Sequence, residues 1–366
     1  MNIDFIKHAN PEIYNLTPYQ QGNPTEEVER ELGLTEVCKL ASNENPLGAS
    51  PAAKIAVQQA LTISHIYPDG NHYEIKHALA HFFQIAPEQL TIGNGSENVL
   101  EIIIKSYLNK NDEAIISQYA FLVIPILLQS YGINTHVIPA KNWEHDIEQT
   151  LTAINEKTKI IFLVNPNNPT GTFTTANNFK LLMENIPPHI LVVADEAYAE
   201  YVFNVDYPQT LNYLTQYPNL IITRTFSKAY GLAGLRLGYA ISSVEIANIL
   251  NRARLSFNVN SIAAKAGCAA LNDQQHVKNT MLINQQGMQQ LMFFLNQWNI
   301  DFIPSVTNFI TMNVGDAAKI YQALLLQGVI VRPLNMYGLP QYIRVTISHY
   351  QDNLKFLQAL EKTLLL

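Results

Sequence analysis

The chain has 366 residues, 48% of them hydrophobic and 14% charged, which indicates a globular protein long enough to form two cores. Its 23 basic and 30 acidic residues give a net charge of −7, which argues against nucleic acid as a partner because such binding depends on a basic surface. No apolar stretch is long enough to predict a membrane span, and the first residues lack the pattern of a signal peptide, so we expect a cytoplasmic protein.

The first forty residues are rich in residues that favour loops. Asn10-Pro11 and Thr17-Pro18 mark turns, and a short helix is predicted over residues 26–32. We therefore predict an N-terminal arm, residues 1–40, that packs with the smaller of two domains.

Strands and helices alternate from residue 90 onward. The sequence predicts strands at 90–93, 113–117, 134–139, 159–165, 190–195, 220–223 and 236–241, with helices at 97–108, 146–155 and 175–185. An earlier helix is expected at 51–61, before a turn at 67–70. This alternation predicts an α/β fold whose large domain, residues 41–250, contains a mostly parallel, doubly wound sheet. Ligands in such folds bind at the carboxyl ends of the strands.

The pattern changes after about residue 245. Predicted helices at 261–272 and 276–299 precede a strand at 308–314, a helix at 317–327, strands at 329–332 and 342–347, and a final helix at 352–364. We assign residues 251–366 to a smaller α+β C-terminal domain.

A glycine-rich turn follows the first strand of the predicted sheet. The segment IGNGSENVLEII (92–103) has a Gly-x-Gly turn and Ser96 directly before an amphipathic helix. Backbone N–H groups at a helix start favour a phosphate, although Ser96 as an ordinary N-cap explains the pattern equally well. The third glycine of a dinucleotide-binding motif is absent. We expect the side chain of Glu97 to point away from a bound anion.

Two further strands end in polar residues. In VNPNNPTG (164–171), the prolines stiffen a turn that holds Asn168 at a strand end. In ILVVADEAYAEY (190–201), Asp195 ends an apolar strand, where a carboxylate is costly unless a cation meets it. Turn chemistry for the asparagines and helix capping for Asp195 are the structural alternatives. A metal at Asp195 is disfavoured because no histidine lies near it.

The segment TRTFSKAYGLAGLRLGY (223–239) places Lys228 among small residues and glycines. Such a backbone lets a flat ligand approach closely, and a lysine amine forms a Schiff base with a carbonyl group. Ser227 and Arg236 suit a phosphate. A surface lysine on a helix is the alternative reading.

These four segments, in this order, resemble the fold-type I pyridoxal 5'-phosphate (PLP) aminotransferases, and SKAYGLAGLRLGY resembles the branch that contains histidinol-phosphate aminotransferase. The resemblance extends over about residues 16–348. Asn98 departs mildly from the family, which more often has Ser-Asp-Glu at 96–98.

The resemblance implies PLP as the cofactor and assigns roles to residues of this chain. Lys228 would form the Schiff base and then act as general base and acid, Asp195 would face the pyridine nitrogen, and Asn168 and Tyr198 would bond the phenolic oxygen. The PLP-binding set is completed by the phosphate ligands and by Phe121, which we favour over Tyr119 as the stacking residue. The implied phosphate ligands are Gly95, Ser96, Glu97, Thr225, Ser227 and Arg236.

The resemblance also implies substrate residues and a shared site. Arg344 would capture the substrate with Arg332 as a helper, and Tyr19 and Asn43 would lie beside it. Tyr67 of YPDG matches a tyrosine that reaches the phosphate of PLP in a partner subunit, which implies a homodimer with shared active sites.

The activity so implied is transamination of histidinol phosphate with 2-oxoglutarate, which yields imidazole acetol phosphate and glutamate in histidine biosynthesis. Aromatic amino-acid transamination and threonine-phosphate decarboxylation, within the same branch, remain alternatives, because pocket shape decides between donors. A non-catalytic regulator with the PLP fold is disfavoured, since regulators of this kind carry a preceding DNA-binding domain for which the chain has no room.

No metal site is expected. His72, His77 and His81 lie close together, but no carboxylate or cysteine completes a ligand set, and Cys38 and Cys268 have no zinc-binding spacing.

Overall fold

The computed structural model describes residues 5–18, 22 and 24–364. The helices are α1 (Pro11–Tyr14), α2 (Thr25–Leu32), α3 (Pro51–Leu61), α4 (Tyr73–Phe83), α5 (Ser96–Tyr107), α6 (Val123–Ser130), α7 (Ile147–Thr152), α8 (Ala176–Asn185), α9 (Val244–Ala253), α10 (Ser261–Asn272), α11 (Gln274–Gln297), α12 (Ala317–Leu325) and α13 (Tyr350–Leu364). The strands are β1 (Cys38–Lys39), β2 (Leu90–Gly93), β3 (Glu113–Ser117), β4 (Asn134–Ile138), β5 (Thr158–Val164), β6 (Leu191–Asp195), β7 (Leu220–Thr225), β8 (Gly238–Ile241), β9 (Phe302–Ile303), β10 (Phe309–Asn313), β11 (Val329–Ile330), β12 (Arg332–Leu334) and β13 (Leu339–Thr346).

Seven of the described strands form one sheet in the order β2-β8-β7-β6-β5-β3-β4. Strand β8 runs antiparallel to both of its neighbours, and the other adjacent pairs are parallel. Helices cover both faces, which explains why the strands read as continuous apolar runs. The expected α/β architecture with a mostly parallel sheet is confirmed.

Side chains of each strand alternate between two apolar layers. On β6, Val192 and Ala194 pack with α8 and α10 on one face, whereas Val193 packs with α5 and α6 on the other. Because β5, β6 and β7 are parallel, their carboxyl ends lie at the same edge of the sheet, with the start of α5 beside them.

A second sheet lies in the C-terminal part of the chain. Strands β12, β13, β10 and β9 pair antiparallel in that order, and their core includes side chains of α11, α12 and α13. Helix α10 packs instead against α3 and α4, in the core of the seven-stranded sheet. The division of the chain at residue 250 stays a prediction, and this packing favours a boundary nearer the start of α11.

The N-terminal segment contacts both parts of the molecule. Helix α1 packs on α6, and Lys110 pairs with Glu12 at 3.1 Å. Val28 of α2 packs against Ile330, and β1 pairs in parallel with β11. Residues 24–39 thus pack with β11 in the C-terminal part of the chain, where β1 and β11 form a separate two-stranded sheet, whereas residues 11–14 lie on α6 of the large domain.

Two departures from the predicted elements have local causes. Helix α6 was not predicted, and it contains Pro125, a residue that is tolerated there because it lies within the first helical turn. Strand β8 begins at Gly238 rather than at residue 236, because Arg236 adopts the left-handed conformation (φ 57°). None of the helices in the described part of the chain is long and apolar enough to cross a membrane.

Candidate active site

A cavity of about 510 Å³ opens where the carboxyl ends of β5, β6 and β7 face the C-terminal sheet. Its volume lies within the range of small-molecule sites. The structure brings most of the predicted site residues to its wall, namely Asn43, Ser96, Glu97, Phe121, Asn168, Asp195, Tyr198, Thr225, Ser227, Lys228, Arg236, Arg332 and Arg344.

Asp195 ends β6 and presents a buried carboxylate, 3% exposed, to this cavity. Its Oδ1 accepts a hydrogen bond of 2.8 Å from the hydroxyl of Thr223 on β7. Burial raises the pKa of Asp195 to about 6, while the hydrogen bond from Thr223 opposes that rise. The residue after Asp195 begins no α-helix, so the capping alternative has no helix to act on.

Lys228 lies in the loop after β7 and extends into the cavity. Its Nζ donates to the carbonyl oxygen of Ser42 at 2.9 Å and lies 5.7 Å from the ring centre of Tyr198. Burial, and next the positive charge of Arg344, lower the pKa of Lys228 to about 7. A large share of this amine is therefore neutral near pH 7, and the neutral amine is the nucleophile.

The start of α5 forms an anion-binding corner of the cavity. Nη1 of Arg236 donates to Oγ of Ser227 at 3.4 Å, and Thr225 also donates to that oxygen, at 3.0 Å. A Cβ on Gly95 would lie 2.5 Å from Nη2 of Arg236, so the absence of a side chain lets the guanidinium group lie against the helix start.

The expected orientation of Glu97 is wrong. Its carboxylate lies 3.4 Å from Nη2 of Arg236 and lines the cavity, because the guanidinium group attracts it. Asn98 accepts from the backbone N–H of Asn94, and it thereby stabilises the turn before the helix.

Asn168 connects the two parts of the chain. The loop that carries it has cis peptide bonds before Pro166 and Pro169. Its Oδ1 accepts a short hydrogen bond from Nη1 of Arg344, which lies on β13. Because the oxygen is used in this way, the amide Nδ2 is the group that Asn168 has available as a donor.

Asn43 forms hydrogen bonds with other residues of the protein, which hold its side chain in place. Its Nδ2 donates to the hydroxyl oxygen of Tyr198 at 2.8 Å, and its backbone N–H donates to Oγ1 of Thr346 at 2.9 Å. It is 1% exposed and adopts a left-handed backbone (φ 54°). The amide therefore orients Tyr198.

Phe121 and Tyr119 occupy different environments. Phe121 lines the cavity, whereas the ring of Tyr119 packs on Trp143, with 5.5 Å between the ring centres. Trp143 in turn contacts Tyr342 of β13. This arrangement favours Phe121 as the aromatic residue facing a ligand.

Two of the predicted residues that the structure describes are not among those that line the cavity. Gly95 lies behind Arg236 at the start of α5. Tyr67 is 80% exposed and stacks on Phe257, with 4.9 Å between the ring centres. Tyr19 lies outside the described residues.

Several polar residues at or near the site were not predicted from the sequence. Lys39 and Glu44 line the cavity and form an ion pair of 2.9 Å. Thr223 was overlooked although it interrupts the apolar run of β7, a signal that was available in the sequence. Arg332, which the sequence did predict, lines the cavity and is only 9% exposed, whereas most arginines are exposed.

Comparisons with known proteins identify the family of the chain. The family model "Aminotransferase class I and II" matches residues 35–360. Histidinol-phosphate aminotransferase 1 of Nitrosococcus oceani is 46% identical over 361 residues, which is 98% of each chain. Histidinol-phosphate aminotransferase 2 of Pseudomonas fluorescens is 46% identical over 100% of this chain and 99% of its own.

Solved structures share the whole architecture. The crystal structure of histidinol-phosphate aminotransferase from Sinorhizobium meliloti in complex with PLP superposes with a TM-score of 0.88 at 28% identity, and the match covers 97% of both chains. Aspartate aminotransferase from Thermotoga maritima, at 18% identity, matches with a TM-score of 0.85 over 98% of this chain and 100% of its own, which supports the fold alone.

Proposed function

The chain belongs to the aminotransferase class I and II family, and we propose that it transfers the amino group of histidinol phosphate to 2-oxoglutarate. The products are imidazole acetol phosphate and glutamate, and the reaction is a step of histidine biosynthesis. The protein is an aminotransferase, its cofactor is PLP, and its substrates are small molecules. The observation that carries the choice of donor is the 46% identity, over nearly the entire chain, to histidinol-phosphate aminotransferases.

The residues around the cavity fit PLP. A protonated pyridine nitrogen suits the buried carboxylate of Asp195, and the amine of Lys228 suits an aldehyde. At the start of α5, Arg236 and Ser227 lie together beside helical N–H groups, a combination that suits a phosphate. Acid, amine and anion corner all line one cavity, which is the arrangement a flat, phosphorylated, basic ring requires.

We assign the cofactor phosphate to this anion-binding corner. Arg236 supplies the charge, Ser227 and Thr225 supply hydroxyl groups, and Ser96 and Glu97 supply backbone N–H groups at the helix start. Gly95 contributes by leaving room for the guanidinium group. Phe121, which lines the cavity, would pack against the ring.

Bound PLP supplies an electron-withdrawing ring that stabilises the electron pair left when the C–H bond beside the substrate amino group breaks. Asp195, as a carboxylate, keeps the ring nitrogen protonated. Asn168, from Nδ2, and Tyr198, from its hydroxyl, would donate to the phenolic oxygen. Asn43 holds Tyr198 in place for this role.

Lys228 moves the proton. Its lowered pKa, about 7, means that the amine accepts a proton from carbon and returns it within the same pH range. Its hydrogen bond to the carbonyl oxygen of Ser42 holds Nζ on the cavity side.

Arg344 and Arg332 are proposed to bind the anionic end of each substrate, namely the phosphate of the donor or the carboxylate of the acceptor. Arg344 is 5% exposed, and its Nε, among the described residues, has no hydrogen-bond partner. A buried unpaired donor is unfavourable unless a ligand meets it. We also place Tyr19 beside the substrate.

We further propose a cytoplasmic homodimer with shared sites, in which Tyr67 reaches the cavity of a partner subunit, and a C-terminal domain that follows the PLP-binding domain. Fractionation of cells tests the location, and sedimentation of the purified protein tests the dimer.

The substrate assignment is tested by the half-reaction. The purified PLP form is mixed with histidinol phosphate, phenylalanine, tyrosine or threonine phosphate, and the change in cofactor absorbance is followed. We expect histidinol phosphate to give the highest kcat/KM and threonine phosphate to release no CO2. A faster reaction with an aromatic amino acid overturns the assignment while preserving the aminotransferase class.

The site assignment has its own test. Borohydride reduction followed by peptide mapping should place the pyridoxyl label on Lys228, and Lys228→Ala should abolish transamination while PLP remains bound without a covalent bond. A label on any other lysine contradicts the assignment.

A further inference from the structure

Strand β7 carries Thr223 directly after three apolar residues. Ile221 and Thr223 lie on the same face of the sheet, since side chains two apart point the same way, and both are 0% exposed. In the parallel register of β6 and β7, Thr223 stands directly beside Asp195. Its Oγ1 donates to Oδ1 of Asp195 at 2.8 Å, and both groups are buried.

The residues that follow Asp195 and Thr223, namely Glu196 and Arg224, form an ion pair instead of a hydrogen bond from a neutral hydroxyl. Glu196 and Arg224 form an ion pair in which Nε and Nη2 of the arginine contact Oε2 at 3.0 and 2.7 Å. The guanidinium group of Arg224 on β7 is thus paired with Glu196. The side chain that β7 offers to Asp195 is the neutral hydroxyl of Thr223.

The surroundings of Asp195 act on its pKa in opposite directions, and the Thr223 hydroxyl acts to lower it. Burial and the negative charges of Glu196 and Glu97 favour the protonated acid, and the hydrogen bond from Thr223 favours the carboxylate. Lys228 and Arg236 are the cationic groups that line the same cavity from the loop after β7.

We propose that Thr223 is a positioning residue that fixes one oxygen of the Asp195 carboxylate and leaves the other for the ring nitrogen of PLP. The inference rests on the proposed role of Asp195. The strand pairing sets the distance, because the backbone N–H of Glu196 donates to the carbonyl oxygen of Thr223 at 2.8 Å and locks the two strand ends together. The β-branched side chain restricts rotation of the hydroxyl-bearing carbon.

A merely structural threonine would stabilise the strand without affecting the cofactor. Thr91 of β2 provides the matched control, since it is also 0% exposed in the same sheet and its Oγ1 accepts from Asn251 at 3.3 Å. Loss of either hydroxyl removes one buried polar group, but Thr91 is bonded to an amide rather than to Asp195.

The test is a double-mutant cycle read out as the dissociation constant of PLP. The variants are Thr223→Val, Thr223→Ser, Asp195→Asn, the double variant Thr223→Val/Asp195→Asn, and Thr91→Val. The bond from Thr223 favours the carboxylate that the ring nitrogen requires, and it is present before PLP binds, so only part of its free energy contributes to affinity. Thr223→Val should therefore weaken PLP binding several-fold at pH 8, up to the factor of about ten that a hydrogen bond to a charged group accounts for. Thr223→Ser should stay within about twofold of the parent, and Thr91→Val should not change the constant.

The cycle separates the two proposals. If Thr223 acts through the charge of Asp195, Thr223→Val has no further effect in the Asp195→Asn background. An equal effect in both backgrounds, or none in the parent, overturns the inference about Thr223. Parent-like PLP binding and turnover in Asp195→Asn overturns the proposed role of Asp195 itself.

A pH series gives a second readout. Since Thr223→Val removes a bond to the carboxylate, it raises the pKa of Asp195, so PLP affinity should begin to fall at a higher pH on acidification than in the parent. An unshifted pH dependence contradicts the proposal.

Discussion

At the scale of single residues, the site depends on charges held away from water. Lys228 is a base whose pKa, about 7, lies well below its ordinary value of 10.5, chiefly because of burial. The folded protein therefore releases this proton more readily than the unfolded chain does. The same burial that makes the amine reactive destabilises the folded state wherever the amine is charged.

The sign of this effect gives a prediction for the PLP-free protein. Below pH 7 the lysine is protonated in both states and the burial penalty is complete, whereas above pH 10.5 it is neutral in both and the penalty vanishes. Lys228→Met should therefore be more stable than the parent at pH 7 by more than about 1 kcal/mol, since a change of one in pKa corresponds to about 1.4 kcal/mol. The difference should shrink as the pH rises towards 10.

Urea unfolding of the parent and of Lys228→Met at pH 7, 8.5 and 10 measures this difference in the free energy of unfolding. Lys54→Met, at an exposed position of α3, reports the effect of replacing a lysine on the surface. A stability difference for Lys228→Met that does not vary with pH contradicts the prediction.

Glu196 illustrates the opposite case, a buried charge with a full set of partners. It is 0% exposed, contacts Arg224 at 2.7 Å, and accepts from the hydroxyl of Thr210 at 2.5 Å. Removing one member of such a pair leaves a buried charge uncompensated, so Glu196→Gln should lower the free energy of unfolding by about 3 kcal/mol. Glu184→Gln, which breaks the exposed pair with Lys180, should lower it by no more than about 0.5 kcal/mol. Equal urea midpoints for the two variants would show that Glu196 is dispensable.

The sequence predicted which residues line the cavity better than it predicted the hydrogen bonds between those residues. Asp195, Asn168 and Lys228 follow apolar strands, and that pattern alone is enough to place them at one edge of a parallel sheet. The bond between Asn168 and Arg344 was not predictable, because it joins residues 176 positions apart whose approach is decided by how the two sheets pack. The orientation of Glu97 likewise depends on where Arg236 comes to lie.

At the scale of elements, the anion corner requires a close approach between β8 and the start of α5. A Cβ on Gly238 would lie 2.3 Å from the backbone nitrogen of Ser96 and 2.5 Å from the carbonyl carbon of Gly95. Backbone atoms cannot move aside as a flexible side chain can. The position of the N–H groups that we propose to bind the phosphate is therefore set by the absence of a side chain on the neighbouring strand.

Gly238→Ala should displace the start of α5. Crowding of this kind costs about 1–3 kcal/mol in stability, and we expect PLP affinity to fall at least about tenfold because the helical N–H groups move from their places. Gly234→Ala is the control, since a Cβ there meets nothing within 4 Å and the backbone is not left-handed. Dissociation constants of PLP for the two variants decide the matter, and equal values contradict the prediction.

The limits of the elements were predictable where apolar runs were uninterrupted. Strands β2 and β3 and helix α10 have the predicted bounds, because glycine, proline or polar residues flank a clear periodic segment. Helices α6 and α9 were not recognised. Both cover the same face of the sheet as α5, so their positions follow from the layer that the sheet needs rather than from a strong local signal.

At the scale of the whole molecule, an apolar surface near Tyr67 remains uncovered in the single chain. Tyr67, Ile66 and Leu255 are 80%, 58% and 73% exposed, and Tyr67 stacks on Phe257, itself 44% exposed. Large exposed apolar side chains that cluster in this way are typical of protein interfaces. The N–H groups of α5 and the side chains of Ser227 and Arg236 lie elsewhere, so Tyr67 contributes to a phosphate site only if a second subunit brings it there.

We therefore predict a C2 homodimer in which Tyr67 of each subunit donates to the PLP phosphate held by the other, since closed two-fold symmetry brings the same surface of both chains together. Tyr67→Phe should weaken PLP binding about tenfold without changing the sedimentation coefficient, because one hydroxyl bond to a charged group is lost while the apolar contact remains. Tyr73→Phe, at an exposed tyrosine whose ring lies against His77, should leave PLP binding unchanged.

Leu255→Arg should instead produce monomers with weakened PLP binding, because a charge then replaces an apolar contact at the interface. Sedimentation of the parent as an active monomer at assay concentration contradicts the shared-site arrangement, and parent-like PLP affinity in Tyr67→Phe within a stable dimer removes Tyr67 from the site.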